Sequence, residues 1–236
     1  MDHSHFDKRN YPIIDVRKGY GEWVRTYEQT VLDEMDLRLL DRLRTVDWSA
    51  MKTVLDLACG TGRIGAWLTS RCPDAAIDGV DLTPQMLEVA RGRKIYRTLK
   101  VGDVTDTGLA AESYDLCTQS LADEHLPELA PLYKEVARLT KPGGCFVIVG
   151  FHPQFLMAGV PTHFDRSPGE AISIRSYVHL LSDHAKAAFA HGFSLMEFEE
   201  GIVDDAWLAK KPKWEHYRRQ PISFAMVWRR AERGMH

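Results

Sequence analysis

The chain has 236 residues, of which 44% are hydrophobic and 27% are charged. This composition excludes a disordered chain, which would be poorer in apolar residues. The net charge is −3, whereas a protein that grips a nucleic-acid backbone is expected to carry a basic surplus. The length fits one domain over residues 1–236, and nucleic acid is disfavoured as a partner.

The first residues of the chain and the pattern of its cysteines are used to predict the cellular compartment. No apolar segment follows Met1, and no apolar run approaches the ~20 residues that span a bilayer. The cysteines contain no C-x-x-C pair, which favours free thiols in a reducing environment. We therefore expect a cytoplasmic protein with no membrane partner.

Residues 1–19 show no clear period and are predicted to form an extended arm, whereas apolar periodicity predicts one helix over residues 20–44. Further along, short apolar runs alternate with helical segments, a pattern typical of βαβ units with helices on both faces of a parallel sheet. Strands are predicted at residues 53–58, 75–80, 95–101, 113–118, 145–151, 193–198 and 222–228. Further helices are predicted at residues 63–71, from Thr83 and Pro84 onward, at 127–139 and at 175–191. Residues 152–174 and 201–221 show no clear period and are predicted to be irregular insertions.

The segment after the first predicted strand is rich in glycine. Gly60, Gly62 and Gly65 let a backbone approach a ligand closely, and the helix that follows offers free N–H groups. Asp81 stands 21 residues beyond Gly60, where a carboxylate can accept both hydroxyls of a ribose. This spacing matches the dinucleotide fingerprint, so an NAD-dependent oxidoreductase is one interpretation. A site for S-adenosylmethionine is the other.

Three further motifs favour the second interpretation. Asp56 precedes the glycine turn by four residues, Asp103 follows the third strand, and residues 141–144 read Lys-Pro-Gly-Gly. In this order the motifs resemble the class I S-adenosylmethionine-dependent methyltransferases over most of the chain. The resemblance implies a Rossmann-like, doubly wound α/β fold. Its seven-stranded sheet would be mostly parallel with an antiparallel last strand. Residues 1–45 would hold the arm and a helical lid, and residues 52–151 the cofactor-binding core.

The resemblance also implies how S-adenosylmethionine is bound. The glycine turn would lie against its methionyl part, Asp81 would bind the ribose, and Asp103 with Val104 would hold the adenine. Gln119 would lie near the amino group or the transferred methyl. The implied cofactor residues are Tyr20, Trp23, Asp56, Ala58, Gly60, Thr61, Gly62, Asp81, Leu82, Met86, Asp103, Val104 and Gln119.

Some of these residues have a purely structural alternative. Tyr20 and Trp23 either close over the cofactor, where aromatic rings exclude water and attract a sulfonium, or form a hydrophobic cap on the sheet. Leu82 and Met86 either pack near the adenine or belong to the core. Asp81 could instead cap the turn that follows its strand.

The loop after the fourth strand would face the methyl acceptor, because ligands bind at the carboxyl ends of parallel strands. His125 in this loop is the candidate general base, since an imidazole pKa of ~6.5 suits proton removal near neutral pH. The alternative is that His125 braces the loop. Some family members bind a metal ion through an E-x-x-E-H pattern, but Leu121 replaces the first glutamate here. No metal is therefore predicted.

The two insertions would shape the acceptor pocket, as they do in the family. His152, Phe155 and His163 are the candidate substrate-binding residues of the first insertion. The second insertion interleaves lysines and arginines with aromatic residues. Its cations fit a solvated loop, a nucleic-acid surface, or a site for the carboxylate of a small acceptor.

The sequence as a whole predicts an enzyme that transfers a methyl group from S-adenosylmethionine to an O or N atom of a small molecule by in-line displacement. It most resembles the ubiquinone/menaquinone-biosynthesis and secondary-metabolite methyltransferases. The alternatives are an RNA or protein methyltransferase, the oxidoreductase, and a non-catalytic S-adenosylmethionine-binding sensor or interaction module. A monomer or a homodimer is expected.

Overall fold

The computed structural model of the protein describes residues 1–31 and 33–232. The strands are β1 (Ile13–Ile14), β2 (Thr53–Leu57), β3 (Ala76–Asp81), β4 (Thr98–Val101), β5 (Tyr114–Ser120), β6 (Thr140–Phe151), β7 (His163–Ser167), β8 (Glu170–Ile174), β9 (Phe193–Ile202) and β10 (Pro221–Arg230). The α-helices are α1 (Val16–Trp23), α2 (Tyr27–Thr30), α3 (Leu37–Leu40), α4 (Arg63–Arg71), α5 (Pro84–Gly92), α6 (Ala130–Leu139), α7 (Pro153–Met157), α8 (Leu181–Ala190) and α9 (Asp205–Lys210). Short 3-10 helices lie at His3–His5, Asp33–Met35, Trp48–Ala50, Asp123–His125 and Pro212–Tyr217.

The large sheet has the strand order β4-β3-β2-β5-β6-β10-β9 within the described residues. Strands β2 to β6 run parallel to one another, and β10 runs antiparallel to both β6 and β9. The winding direction therefore reverses between β2 and β5, which opens a crevice at the carboxyl ends of these strands. The predicted Rossmann-like, seven-stranded sheet with an antiparallel last strand is confirmed.

Apolar side chains cover both faces of the large sheet, which explains the continuous apolar runs of its strands. Along β2, Val54 lies in the apolar cluster of one face, whereas Leu55 and Leu57 lie in the cluster of the other. All three side chains are fully buried. Burial of one such aliphatic chain contributes about 1.5–3 kcal/mol. The core thus sits on both sides of the central strands and holds their carboxyl ends in place.

A second, smaller sheet has the strand order β1-β8-β7. Residues 152–174 are therefore not irregular: they form α7 and a β7–β8 hairpin that turns at Pro168 and Gly169. Strand β8 also pairs in parallel with β1 of the N-terminal arm. Phe164 and Ile174 of the hairpin pack against Trp23 of α1. The prediction was wrong because the hairpin buries its apolar side only against a distant part of the chain.

The N-terminal segment is not one helix over residues 20–44, and the arm before it is not wholly extended. Helix α1 ends at Trp23, and the chain is extended at Val31, with φ −84° and ψ 129°. Leu32, inside the predicted helix, lies outside the described residues. The breaks direct Trp23 toward the hairpin and Leu39 toward the core of the large sheet. Tertiary packing outweighs helix propensity in segments this short.

The second insertion, residues 201–221, is regular as well. Strand β9 continues into it, and α9 and a 3-10 helix follow. Trp207 is buried and stacks on Trp214, with ring centroids 5.6 Å apart. Aromatic packing therefore pins this basic segment to the core.

Membrane spans, cysteines and domain extent were also subjects of sequence predictions. Among the described residues, no helix is both long and apolar enough to cross a bilayer. Cys59, Cys72, Cys117 and Cys145 are all buried and free, as expected. The extent of a single domain over the whole chain stays a prediction.

Candidate active site

A cavity of about 220 Å³, called the first cavity here, opens where the large sheet reverses its winding. The loop after β2 contributes Ala58 and Gly60, the end of β3 contributes Asp81, and the loop after β4 contributes Asp103. His125 enters from the loop after β5. The predicted residues that line this cavity are Tyr20, Ala58, Gly60, Asp81, Leu82, Met86, Asp103, Val104 and His125. The lining thus lies where open α/β sheets bind their ligands.

The glycine loop has a backbone shape that glycine adopts most easily. Ala58 and Gly60 have φ of 54° and 53°, and Gly62, with φ 83°, caps the N-terminus of α4. A Cβ atom on Gly62 would also lie 3.0 Å from the ring of Tyr96. The loop brings the Gly60 N–H to 2.8 Å from Oδ2 of Asp81 and so joins the ends of β2 and β3.

Two carboxylates make the first cavity acidic. Asp81 accepts hydrogen bonds from the N–H groups of Gly60 and Thr83, and burial raises the pKa of its carboxyl group. Asp103 is exposed and accepts from the N–H and the hydroxyl of Thr105, at 2.8 and 2.7 Å. No lysine or arginine among the described residues lines this cavity. The electrostatics therefore favour a cationic ligand over a pyrophosphate.

Asp56 does not line the first cavity. Its side chain is buried beneath the glycine loop, where Oδ2 accepts from the hydroxyl of Tyr96 at 2.7 Å and Oδ1 from that of Thr118 at 3.2 Å. Burial raises the pKa of Asp56 to about 7. The predicted contact between Asp56 and the cofactor stays a prediction, because in this structure its hydrogen bonds hold the loop from below.

The other predicted residues outside the first cavity also belong to loops that shape it. With its amide group turned so that the oxygen faces the N–H groups of Ala122 and Asp123, Gln119 accepts from both, at 2.9 and 2.8 Å, and so fixes the loop after β5. Thr61 and Gly62 form the turn beside Gly60 without reaching the cavity wall. Their predicted contacts with the cofactor stay predictions.

An oriented tyrosine–histidine pair lines the first cavity. Burial lowers the pKa of His125 to about 4, so its imidazole is neutral at pH 7. Nδ1 lies 2.7 Å from the carbonyl oxygen of Arg175, which can only accept, so Nδ1 carries the proton. Nε2 is then an acceptor, and the hydroxyl of Tyr20 donates to it at 2.9 Å. Burial raises the pKa of Tyr20 well above its ordinary value.

Glu124 lies beside this pair and is also buried. Its Oε1 lies 3.5 Å from Nε2 of His125 and accepts from the hydroxyl of Thr162 at 3.2 Å. Burial raises the pKa of Glu124 above its ordinary value, which favours its neutral form. Within the part of the chain that the structure describes, no group of three or more His, Cys, Asp or Glu side chains could hold a metal ion.

A second cavity, of about 390 Å³, adjoins the first. Tyr20, Tyr27 and Leu121 line both cavities and form the wall between them. The predicted residues that line the second cavity are Trp23, Phe155 and His163. Trp23 was expected against the cofactor, but its stacking on Phe164 of the hairpin places it on this other side.

His152 lines neither cavity. It caps the N-terminus of α7, where Nδ1 accepts from the N–H of Gln154 at 3.2 Å, and its Nε2 lies 3.0 Å from Glu200. Two wall residues are not among the predicted site residues: Tyr27, for which the sequence favoured packing as a hydrophobic cap, and Leu121. Tyr27 follows Tyr20 by two helical turns, which was a usable signal, but Leu121 owes its place to a φ of 50° that no pattern indicated.

Known proteins resemble the chain in both sequence and fold. Residues 55–148 match the family model described as a methyltransferase domain. An uncharacterized methyltransferase of Emericella nidulans is 26% identical over an alignment 235 residues long. The alignment covers 83% of this chain and 81% of the relative. A ubiquinone/menaquinone biosynthesis C-methyltransferase of Bdellovibrio bacteriovorus is 32% identical over 145 residues, covering 58% of this chain and 61% of the relative. The structure of an S-adenosylmethionine dependent methyltransferase from Mesorhizobium loti, 22% identical, matches with a TM-score of 0.66 over 84% of this chain and 98% of that chain.

The sheet order, the glycine loop and the acidic cavity together define an α/β methyltransferase domain. Residues 55–148 match a methyltransferase domain, and the fold resembles that of a solved S-adenosylmethionine dependent methyltransferase. Both relatives and the solved structure are named as methyltransferases.

Proposed function

We propose that this enzyme transfers a methyl group from S-adenosylmethionine to an oxygen or nitrogen atom of a small molecule. The observation that carries the proposal is the pair of adjoining cavities that share Tyr20, Tyr27 and Leu121. The acidic first cavity suits a ligand with a sulfonium and an ammonium group. The second cavity, at about 390 Å³, has the size of a small-molecule pocket, roughly 300–1,000 Å³.

The residues of the first cavity would bind and orient the cofactor, which supplies a methyl group on an electrophilic sulfonium. Asp81 has lone pairs beyond those used by Gly60 and Thr83, and they would accept the ribose hydroxyls. Asp103 would accept from the adenine amino group, and the buried Met86 would pack against the ring.

The wall between the cavities would place the acceptor in line with the methyl group. The rings of Tyr20 and Tyr27 lie edge to face, with centroids 6.0 Å apart, and both side chains are half-buried. Aromatic rings there exclude water from the reacting atoms. Correct placement alone supplies much of the rate enhancement in such a bimolecular transfer.

The tyrosine–histidine pair would take up the proton that the acceptor loses. Tyr20 lines both cavities, and its hydroxyl donates to Nε2 of His125. A proton released by the acceptor would pass to the Tyr20 oxygen while the Tyr20 proton moves to Nε2. A pKa of about 4 makes His125 a weak base, but a hydroxyl oxygen that has just been methylated is a far stronger acid. His125 therefore suits proton removal after methyl transfer.

Calorimetric titration with S-adenosylhomocysteine, NAD and NADP tests the cofactor assignment. We expect S-adenosylhomocysteine alone to bind, and Asp81→Ala and Asp103→Ala to weaken it at least tenfold. Asp74→Ala is the matched control, since Asp74 is exposed and pairs with Lys52 at the other end of β3. Binding of NAD or NADP in place of S-adenosylhomocysteine would contradict the proposal.

Product analysis with labelled S-adenosylmethionine tests the acceptor atom. Mass spectrometry of reactions with phenols, carboxylic acids and amines should show a methyl ester, ether or amine. The Bdellovibrio relative is named a C-methyltransferase, so a carbon-methylated product would overturn the choice of atom while leaving the cofactor assignment intact. Label in RNA or protein, or binding without any transfer, would favour the macromolecular or the non-catalytic alternative.

A further inference from the structure

The second cavity carries positive charge on one side. Lys210, Lys211 and Lys213 all line it, whereas Asp165 is the one acidic residue among its described lining residues. Lys210 forms an ion pair with Glu34, so its charge is already balanced. Lys211 and Lys213 form no ion pair with any described residue.

Lys211 is held rather than free in solvent. It is half-buried, and its Nζ lies 4.3 Å from the centroid of the Trp214 ring. Trp214 in turn packs on Phe155, with centroids 5.5 Å apart. Burial and the nearby charge of Lys213 lower the pKa of Lys211. Two ammonium groups close together, one of them partly desolvated, gain stability when an anion joins them.

The rest of the second cavity is apolar and aromatic. The aromatic side chains in its lining are Tyr20, Trp23, Tyr27, Phe151, Phe155, Phe164 and Trp214. Such a lining suits the body of a flat or hydrophobic molecule. The cavity therefore presents an aromatic wall toward the cofactor side and unbalanced cations on the α9 side.

We propose that the methyl acceptor is an aromatic or apolar small molecule with an anionic group, a carboxylate or a phosphate, held by Lys211 and Lys213. This inference rests on the proposed function and adds the class of substrate. The anion would sit between the two ammonium groups, and the apolar body would extend along the aromatic wall toward Tyr20. The nucleophilic atom would thereby reach the boundary with the first cavity, while the charged end stays away from the acidic cofactor site.

Matched pairs of small ligands test this inference without knowledge of the natural acceptor. The probes are para-hydroxyphenylpropionic acid, its neutral amide and its phosphate-bearing analogue, titrated into the protein saturated with S-adenosylhomocysteine. Trp214 lines the site, so quenching of tryptophan fluorescence reports binding, with calorimetry as the second readout. We expect the acid or the phosphate to bind at least tenfold more tightly than the amide.

Two variants and a control assign the effect to the site. Lys211→Gln and Lys213→Gln should each weaken anion binding about tenfold and leave the affinity for the amide unchanged. Lys186→Gln, at an exposed position on α8, should change neither affinity. A stronger response to the carboxylate or to the phosphate identifies which anion the site takes.

Three results would overturn the inference. They are equal binding of the acid and the amide, unchanged anion affinity in both lysine variants, and failure of every anion to bind. The titration with S-adenosylhomocysteine separates these results from failure of the proposed function, because the proposed cofactor residues Asp81 and Asp103 line the first cavity, whereas the lysines line the second.

Discussion

The hydrogen bond between Tyr20 and His125 joins two residues of the first cavity, and we expect it to contribute to the free energy of unfolding. Tyr20→Phe keeps the ring but leaves the buried Nε2 of His125 without its donor. We expect a loss of about 1–3 kcal/mol in the free energy of unfolding, the cost of a buried unpaired acceptor. Tyr27→Phe is the matched control, because the Tyr27 hydroxyl makes no hydrogen bond within the described residues, and we expect a change below about 0.5 kcal/mol. Urea unfolding of both variants checks this, and equal losses would contradict it.

The neutral state of His125 predicts a pH dependence of stability. Its pKa is about 4 in the folded protein, below the ordinary value of 6.5. Between these pH values the unfolded chain binds more protons than the folded protein, so the free energy of unfolding rises with pH. The contribution of neutral His125 to stability is complete above about pH 6.5 and is lost as the pH falls toward 4. The loss is on the order of 3 kcal/mol. His125→Gln should remove this loss.

Unfolding by urea at several pH values between 4 and 8 measures the effect of His125. The difference between wild type and His125→Gln isolates it, because Asp56 and Glu124, whose pKa values are raised, titrate in both proteins. That difference should shrink as the pH falls below about 6.5. Parallel curves for the two proteins would show that His125 does not titrate in this way.

At the scale of elements, helix α1 is positioned by the small sheet. Gly19 of α1 faces Ile174 of β8, and a Cβ atom there would lie 2.7 Å from Cγ1 of Ile174. Gly19→Ala should therefore push the helix away and cost about 1–3 kcal/mol in the free energy of unfolding. It should also weaken binding of S-adenosylhomocysteine, because α1 carries Tyr20.

Gly21→Ala is the matched control for Gly19→Ala. Gly21 lies in the same helix, and the nearest atom to its added Cβ would be in the flexible side chain of Gln85, at 3.4 Å. Alanine in a helix interior is favoured over glycine by roughly 0.5–1 kcal/mol, so this variant should be as stable as wild type or more stable. Thermal denaturation and calorimetric titration measure both variants. Equal effects would mean that the contact with Ile174 does not position α1.

At the scale of the whole molecule, ion pairs tie the N-terminal segment to the cofactor-binding core. Arg63 of α4 pairs with Asp33, at 2.6 Å, and with the buried Asp36. Arg93 pairs with Glu28 and also donates to the carbonyl oxygen of Thr61 at 2.7 Å. The segment that carries Tyr20 and Tyr27 is thus joined to the glycine loop, and the first cavity depends on both parts.

Cofactor binding should therefore stabilise the molecule as a unit. At 100 times its dissociation constant, S-adenosylhomocysteine adds about 2.7 kcal/mol to the free energy of unfolding, which corresponds to roughly 5–10 °C in Tm for a chain of this length. Scanning calorimetry should show one transition that moves as a whole, with NAD at the same concentration as the control. A shift confined to one of two transitions would mean that the N-terminal segment unfolds separately.

Local features of the sequence determined much of this protein. The alternation of apolar runs and helical periods predicted the order of elements in the large sheet, because both faces of that sheet must be buried. Gly60 and Gly62 marked the loop, since their positive φ values are a local property of the backbone. The positions of Asp81 and Asp103 followed in turn, because the carboxyl ends of parallel strands meet at one edge.

Only the tertiary structure decided which predicted residues face a cavity. Asp56 and Asp81 both stand at or near the end of a predicted strand. Tyr96 and Thr118 nevertheless hold Asp56 beneath the glycine loop. The N-terminal helix is broken and the first insertion forms a sheet, because each buries apolar side chains against a partner far away in the chain. Lysines of the second insertion reach the second cavity through the packing of Trp214. Contacts between distant residues leave no period in the sequence, so pattern alone could not place them.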